Sequence, residues 1–210
     1  MKYKEALDAG KWDAEIAPVT ITPNKQGQVI FSIDEPPRET SYEKLAGLKP
    51  AFAKDGSVTA GNSSGINDGA AVVLIVSEQA LKRYNLTPIM KINAIAVAGV
   101  DPSIMGIGPV PATQKALRRA GLTVGQLDLI ELNEAFAAQS LACIRDLDLN
   151  IQNINVNGGS IAIGHPLGCS GARITTTLLH ELKRRPNAKY GLATMCVGVG
   201  QGAAIIYEKI

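Results

Sequence analysis

Three side chains in the second half of the chain have the types and settings for chemistry at a thioester. Cys196 lies in Met195-Cys196-Val197-Gly198-Val199-Gly200-Gln201-Gly202. Upstream are Gly164-His165-Pro166 and Asn133-Glu134-Ala135-Phe136. A thiol and an imidazole can move protons, and a carboxamide can orient a polar partner. Backbone N–H groups unobstructed by side chains, as around Gly198, can cradle an oxyanion. Each residue also has a plainer reading. A free cysteine is usually a small buried hydrophobe, and a loop histidine can simply tie its loop in place. Asn133 stands where a strand gives way to a helix, a position asparagine fills well as an N-cap.

The remaining candidates are weaker. Cys143 falls inside a helical pattern and His180 among Leu179, Glu181 and Lys183, so both read as structural. His165 and Cys169 are four apart, but Pro166 breaks the spacing and no paired ligand supports a metal site. Gly106-Ile107-Gly108 runs into Pro109-Val110-Pro111 without the third glycine of a dinucleotide fingerprint. Gly159 to Gly164 has phosphate-loop spacing, but His165-Pro166 replaces the Lys-Ser/Thr.

The elements that must position these residues alternate. Helices are expected over 1–9, with Gly10 closing the first, and over 42–48, 78–84, 109–120, 135–147 and 171–185. Strands are expected over 16–21, 29–31, 92–100, 127–132, 154–156, 192–197 and 203–207. The apolar run 70–76 reads as a further strand, covered on both faces. Residues 54–67, containing Gly61-Asn62-Ser63-Ser64-Gly65, read as a loop whose glycines permit close approach to a ligand. This is an α/β pattern, divided near Thr87-Pro88 into residues 1–88 and 89–210.

Composition narrows the class. Hydrophobic residues make up 46% of the 210 and charged residues 19%, as in a globular protein. Aromatics are only 4% against 21 glycines, so the core must be built from Ala, Val, Ile and Leu with close backbone packing. A net charge of +2 gives no electrostatic case for nucleic acid or an anionic membrane. No apolar run reaches the roughly 20 residues of a membrane-spanning helix. Three cysteines, and no apolar signal region at Met1-Lys2-Tyr3-Lys4-Glu5, fit a cytoplasmic, reducing setting.

Five segments taken in order resemble the thiolases. They are Gly61-Asn62-Ser63-Ser64-Gly65-Ile66-Asn67-Asp68-Gly69-Ala70, Met105 to Ala112, Asn133 to Phe136, Asn157-Gly158-Gly159 through Gly164-His165-Pro166, and Cys196 to Gly200. The resemblance implies a layered αβαβα fold. The chain would supply the complete C-terminal half and the tail of the N-terminal half, in an oligomer built on dimers. It implies that Cys196 is the acid/base cysteine at the substrate α-carbon. His165 would activate a nucleophilic cysteine and help bind the thioester oxygen. Asn133 would hold a water of the same oxyanion hole, and the Gly198 amide would serve a second one. Ser64 would line the pantetheine channel and Phe136 would border the acyl pocket. Coenzyme A thioesters would be the substrates, with no covalent cofactor.

The implied reactions are condensation of acetyl-CoA to acetoacetyl-CoA or thiolytic cleavage of a 3-ketoacyl-CoA, as in fatty acid metabolism. Ile130-Glu131-Leu132-Asn133 and Cys196 to Gly200 also fit a 3-oxoadipyl-CoA-type thiolase. The family's nucleophilic cysteine has no counterpart here. The chain is therefore expected to be inactive alone and to need the missing half, or to be a non-catalytic acyl-CoA-binding or assembly subunit. Val199 stands where many thiolases carry glycine.

Overall fold

The computed structural model describes residues 1–22 and 27–210. The site is built on a four-stranded sheet of β3 (Met90–Gly99), β4 (Leu129–Leu132), β5 (Tyr190–Val197) and β6 (Gln201–Lys209), in the order β3-β6-β5-β4. The β3–β6 and β5–β6 pairs are antiparallel and β4–β5 is parallel. Strand alternation separates two cores. Ile130, Leu132, Leu192 and Ile206 face one core with Ala112, Ala116 and Leu117. Leu129, Ala193 and Tyr207 face the other with Ile174, Leu178 and Leu182.

The helices that cover these faces are α4 (Pro109–Ala120), α5 (Ala137–Asp146) and α7 (Ser170–Arg184). In α4 the buried residues Pro109, Ala112, Thr113, Ala116 and Leu117 fall on one stripe. Proline opens that helix, and Gly121, at φ +67°, closes it in the left-handed region. In α7 the buried set Ser170, Ile174, Leu178, Glu181 and Leu182 lies against β4 and β5. Full burial of each such leucine contributes about 2 kcal/mol. Glycine replaces bulk where backbones touch. A Cβ on Gly202 would come within 1.9 Å of the Gly108 carbonyl oxygen.

The first part of the chain is laid onto this body. Helix α1 (Lys2–Asp8) packs Tyr3 and Ala6, with Trp12, against Ala162 and Ile163 of α6 (Ser160–Ile163). Lys2 Nζ donates to the Ile154 carbonyl and Lys11 Nζ to Asn157 Oδ1. Strands β1 (Val19–Ile21) and β2 (Val29–Phe31) form an exposed antiparallel ribbon. Two further short helices are α2 (Tyr42–Ala46) and α3 (Glu78–Tyr84). No helix among the described residues is long and apolar enough to cross a membrane.

Two expected strands are not formed. Residues 70–76 belong to no sheet, because no described segment offers a cross-strand partner, and Val72, Leu74 and Ile75 are 90%, 76% and 71% exposed. Residues 154–156 make one bridge, Ile130 to Ile154, and then turn at Asn155, whose φ is +45°.

Candidate active site

Asn133 follows directly on β4, whose four residues are all buried. Its backbone N–H donates to the Thr194 carbonyl, extending the parallel ladder by one step, and the residue is 0% exposed. It does not cap α5. That helix begins after Phe136, without a side-chain cap, and the first N–H, of Ala137, donates to the Asn62 carbonyl. The stretch between is held by the loop around Ser64. Ser64 donates to the Ala135 carbonyl through both its backbone N–H (3.1 Å) and its hydroxyl (3.2 Å). Ser63 and Phe136 form a bridge, and the Phe136 ring meets Phe52 edge-on at 5.7 Å.

The same loop holds His165. The His165 backbone N–H donates to the Gly65 carbonyl at 2.8 Å. Gly164 sits at φ +97°, and a Cβ there would lie 1.9 Å from Asn67 Oδ1, so only glycine lets the two chains pass. The imidazole then reaches Asn133: His165 Nε2 is 3.3 Å from Asn133 Nδ2, and Nδ1 is 2.5 Å from the Ser170 hydroxyl.

The polarity of this chain of contacts follows from its far end. Arg173 can only donate, and its NH2 group donates to the Ser160 hydroxyl at 3.1 Å. The single Ser160 proton goes to Asn133 Oδ1 at 2.6 Å. The Asn133 NH2 therefore faces the imidazole, and His165 Nε2 accepts. The ring proton of the neutral imidazole lies on Nδ1, against Ser170, whose own hydroxyl donates to the Pro166 carbonyl. Burial, followed by the Arg173 charge, holds the imidazole below its usual titration range. The ring is neutral, with Nε2 unprotonated and engaged by the Asn133 NH2.

Charged groups support the pair from behind. Arg173 NH1 is 3.5 Å from Glu131 on β4. Burial pushes the Glu131 carboxyl up to about 8, against the pull of Arg173. Burial likewise raises Glu15 to about 7. Glu134 accepts from Asn155 Nδ2 (2.8 Å) and from the Ile161 backbone N–H (3.1 Å). Asn155 also exchanges two side-chain hydrogen bonds with the Leu132 backbone, a substitute for strand pairing. Sequence reasoning missed Ser160, Ser170, Arg173, Glu134 and Asn155. Their only signal was polar residues close to glycine motifs.

Cys196 lies two residues beyond Thr194, whose carbonyl accepts from the Asn133 backbone N–H. It sits on β5 opposite Gly202, is 4% exposed, and shares the parity of Leu192, toward the α4 side. Burial raises its thiol. Cys143 is pushed to about 11, chiefly by burial and in part by the nearby Cys196 thiol. Among the described residues no hydrogen bond joins Cys196 to His165 or Asn133. Two surface hollows, of about 270 and 300 Å³, are lined by other residues. Gly198 opens the β5–β6 turn, with nothing within 4 Å of where a Cβ would stand. Val199 is left-handed at φ +66° and 82% exposed, a conformation that costs an L-residue about 1–2 kcal/mol.

Residues 1–79 match the family model of the thiolase N-terminal domain, and residues 86–209 that of the thiolase C-terminal domain. The chain is 52% identical over 208 residues to the acetyl-CoA acetyltransferase of Syntrophomonas wolfei, covering 98% of this chain and 52% of that protein. It is also 52% identical over 209 residues to human mitochondrial 3-ketoacyl-CoA thiolase, with 99% and 52% covered. The crystal structure of the Bacillus anthracis acetyl-CoA acetyltransferase superposes at a TM-score of 0.96 with 51% identity, over 100% of this chain and 53% of that one. Human mitochondrial 3-ketoacyl-CoA thiolase in complex with CoA superposes at 0.89, with 47% identity and 100% and 52% covered. The chain thus spans about half the length of these relatives. Its fold is the thiolase fold, and the chain belongs to the thiolase family.

Proposed function

We propose that this chain carries the acid/base and oxyanion-binding part of an acyl-CoA acyltransferase, acting by condensation of acetyl-CoA or thiolysis of a 3-ketoacyl-CoA. The observation that carries the reading is the contact between His165 Nε2 and Asn133 Nδ2, on an imidazole held neutral. As the substrate displaces the Asn133 contact, Nε2 accepts the proton of an attacking thiol. The resulting Nε2–H then becomes a donor to the thioester oxygen, where negative charge develops. Cys196, with its thiol kept protonated by burial, is the group proposed to exchange protons with the substrate α-carbon. Gly198 lies open beside it, with its amide proposed for the second oxyanion. The Ser64 loop and Phe136 are proposed to border the pantetheine arm and the acyl group. The protein is proposed to act as an oligomer.

Carbon–carbon bond formation needs an acyl group held on a second thiol. Neither remaining cysteine qualifies, since Cys143 is fully buried and burial raises Cys169. The nucleophile is proposed to come from a polypeptide equivalent to the part of the relatives that this chain does not match. The absence of a nucleophile-like thiol also favours a second reading, an acyl-CoA-binding subunit without turnover. Assay of acetoacetyl-CoA thiolysis with the 210-residue chain alone is expected to show no turnover. Turnover near that of an intact thiolase would overturn the proposed division of labour.

A further inference from the structure

We propose that Ser160, backed by Arg173, is a positioning residue that fixes the Asn133 carboxamide with its NH2 toward His165 and so keeps the imidazole Nε2 an acceptor. The proposal deepens the reading of His165 and Asn133 as a thioester-binding pair and rests on it. Asparagine is nearly symmetric in shape, so packing alone does not decide which end faces the ring. Hydrogen bonding decides it here. Ser160 is 0% exposed and has one proton to give. Arg173 NH2 occupies a lone pair of the hydroxyl, and Asn133 Oδ1 takes the proton at 2.6 Å. With the carboxamide reversed, Oδ1 would face the bare Nε2 lone pair to lone pair. That arrangement becomes favourable only when Nε2 carries a proton, as in the imidazolium or the other neutral tautomer.

The anchor at the far end is built into the fold. Ser160 is the first residue of α6, and Glu134 holds that helix through the Ile161 N–H. Arg173 projects from α7 and is paired with Glu131, two residues before Asn133 on β4. The charged and titratable groups facing the cluster are Arg173 and Cys169 at the α7 end, Glu131 and Glu134 around β4, and Glu15 and Asp34 from the first part of the chain.

The consequence is readable without substrate. Donation from Asn133 to Nε2 favours the neutral ring. In Ser160→Ala the carboxamide loses its hold and can turn its oxygen to accept from the imidazolium, so the His165 titration midpoint should move to higher pH. In an Asn133→Ala background the same Ser160→Ala change should have no further effect, because the coupling runs through Asn133. The experiment is an NMR titration of the isotope-labelled chain, with His180→Gln to assign the two histidines. In the unsubstituted chain the Asn133 side-chain NH2 resonances should shift with the His165 midpoint, and this reading does not depend on any variant folding. An unmoved midpoint in Ser160→Ala, or an equal shift in the Asn133→Ala background, would overturn the assignment. So would Asn133 resonances indifferent to the titration. Failure here would leave the acyl-CoA reading to be judged by turnover, and failure of turnover would leave the titration result standing.

Discussion

Glu131 is held far from its ordinary state by burial, and it lies two residues before Asn133 of the proposed site. Burial raises it from 4.5 to about 8, and Glu15 from 4.5 to about 7. A carboxyl raised on folding binds more protons in the folded chain than in the unfolded one. Its contribution is therefore complete below the unfolded value and is lost as pH rises through the folded one. Asp34 is shifted in the same direction. The two histidines act oppositely: both are lowered from 6.5, so their effect is complete once pH passes that value. Between pH 6.5 and 8 the raised carboxyls dominate. Thermal unfolding of the chain should shift to lower temperature across that interval. Glu131→Gln should flatten most of the slope, and a slope unchanged by the substitution would contradict the assignment.

Among the elements, those with punctuation in the sequence were legible. Helix α4 runs between Pro109 and Gly121, and α3 starts after the Ser77 cap and ends at Asn85 in the left-handed region. Asn133 and His165 were legible because glycines and a strand end flank them. The network that orients them was not, because Ser160, Ser170 and Arg173 come together only when α6, α7 and β4 pack. The misread strands fail for definable reasons. Asn155 pairs with Leu132 through its side chain, so no periodic pattern marks it. Residues 70–76 have the apolar run of a strand covered on both faces, but no described partner. With Val72, Leu74 and Ile75 largely exposed, the segment is an open template for pairing. The purified chain should bind a hydrophobic dye and sediment above monomer mass. Val72→Lys with Leu74→Glu should reduce both signals. A monomer without dye binding would show the segment to be covered in solution.

For the whole molecule, the fact to be explained is a thiolase-family chain that spans about half the length of its relatives while keeping the paired His165 and Asn133 in contact. The proposed account makes function conditional on a polypeptide that supplies the nucleophilic thiol and covers the segment at 70–76. The most direct measurement is acetoacetyl-CoA thiolysis by this chain mixed with the unmatched first portion of a related acetyl-CoA acetyltransferase. Turnover should appear on mixing. Cys196→Ser or His165→Ala should lower it about 10²–10⁴-fold, the usual range for lost acid–base catalysis. Cys143→Ser, which removes only a buried thiol bonded to the Gly106 carbonyl, should change it little. Turnover that appears on mixing but is indifferent to Cys196 and His165 would contradict the account.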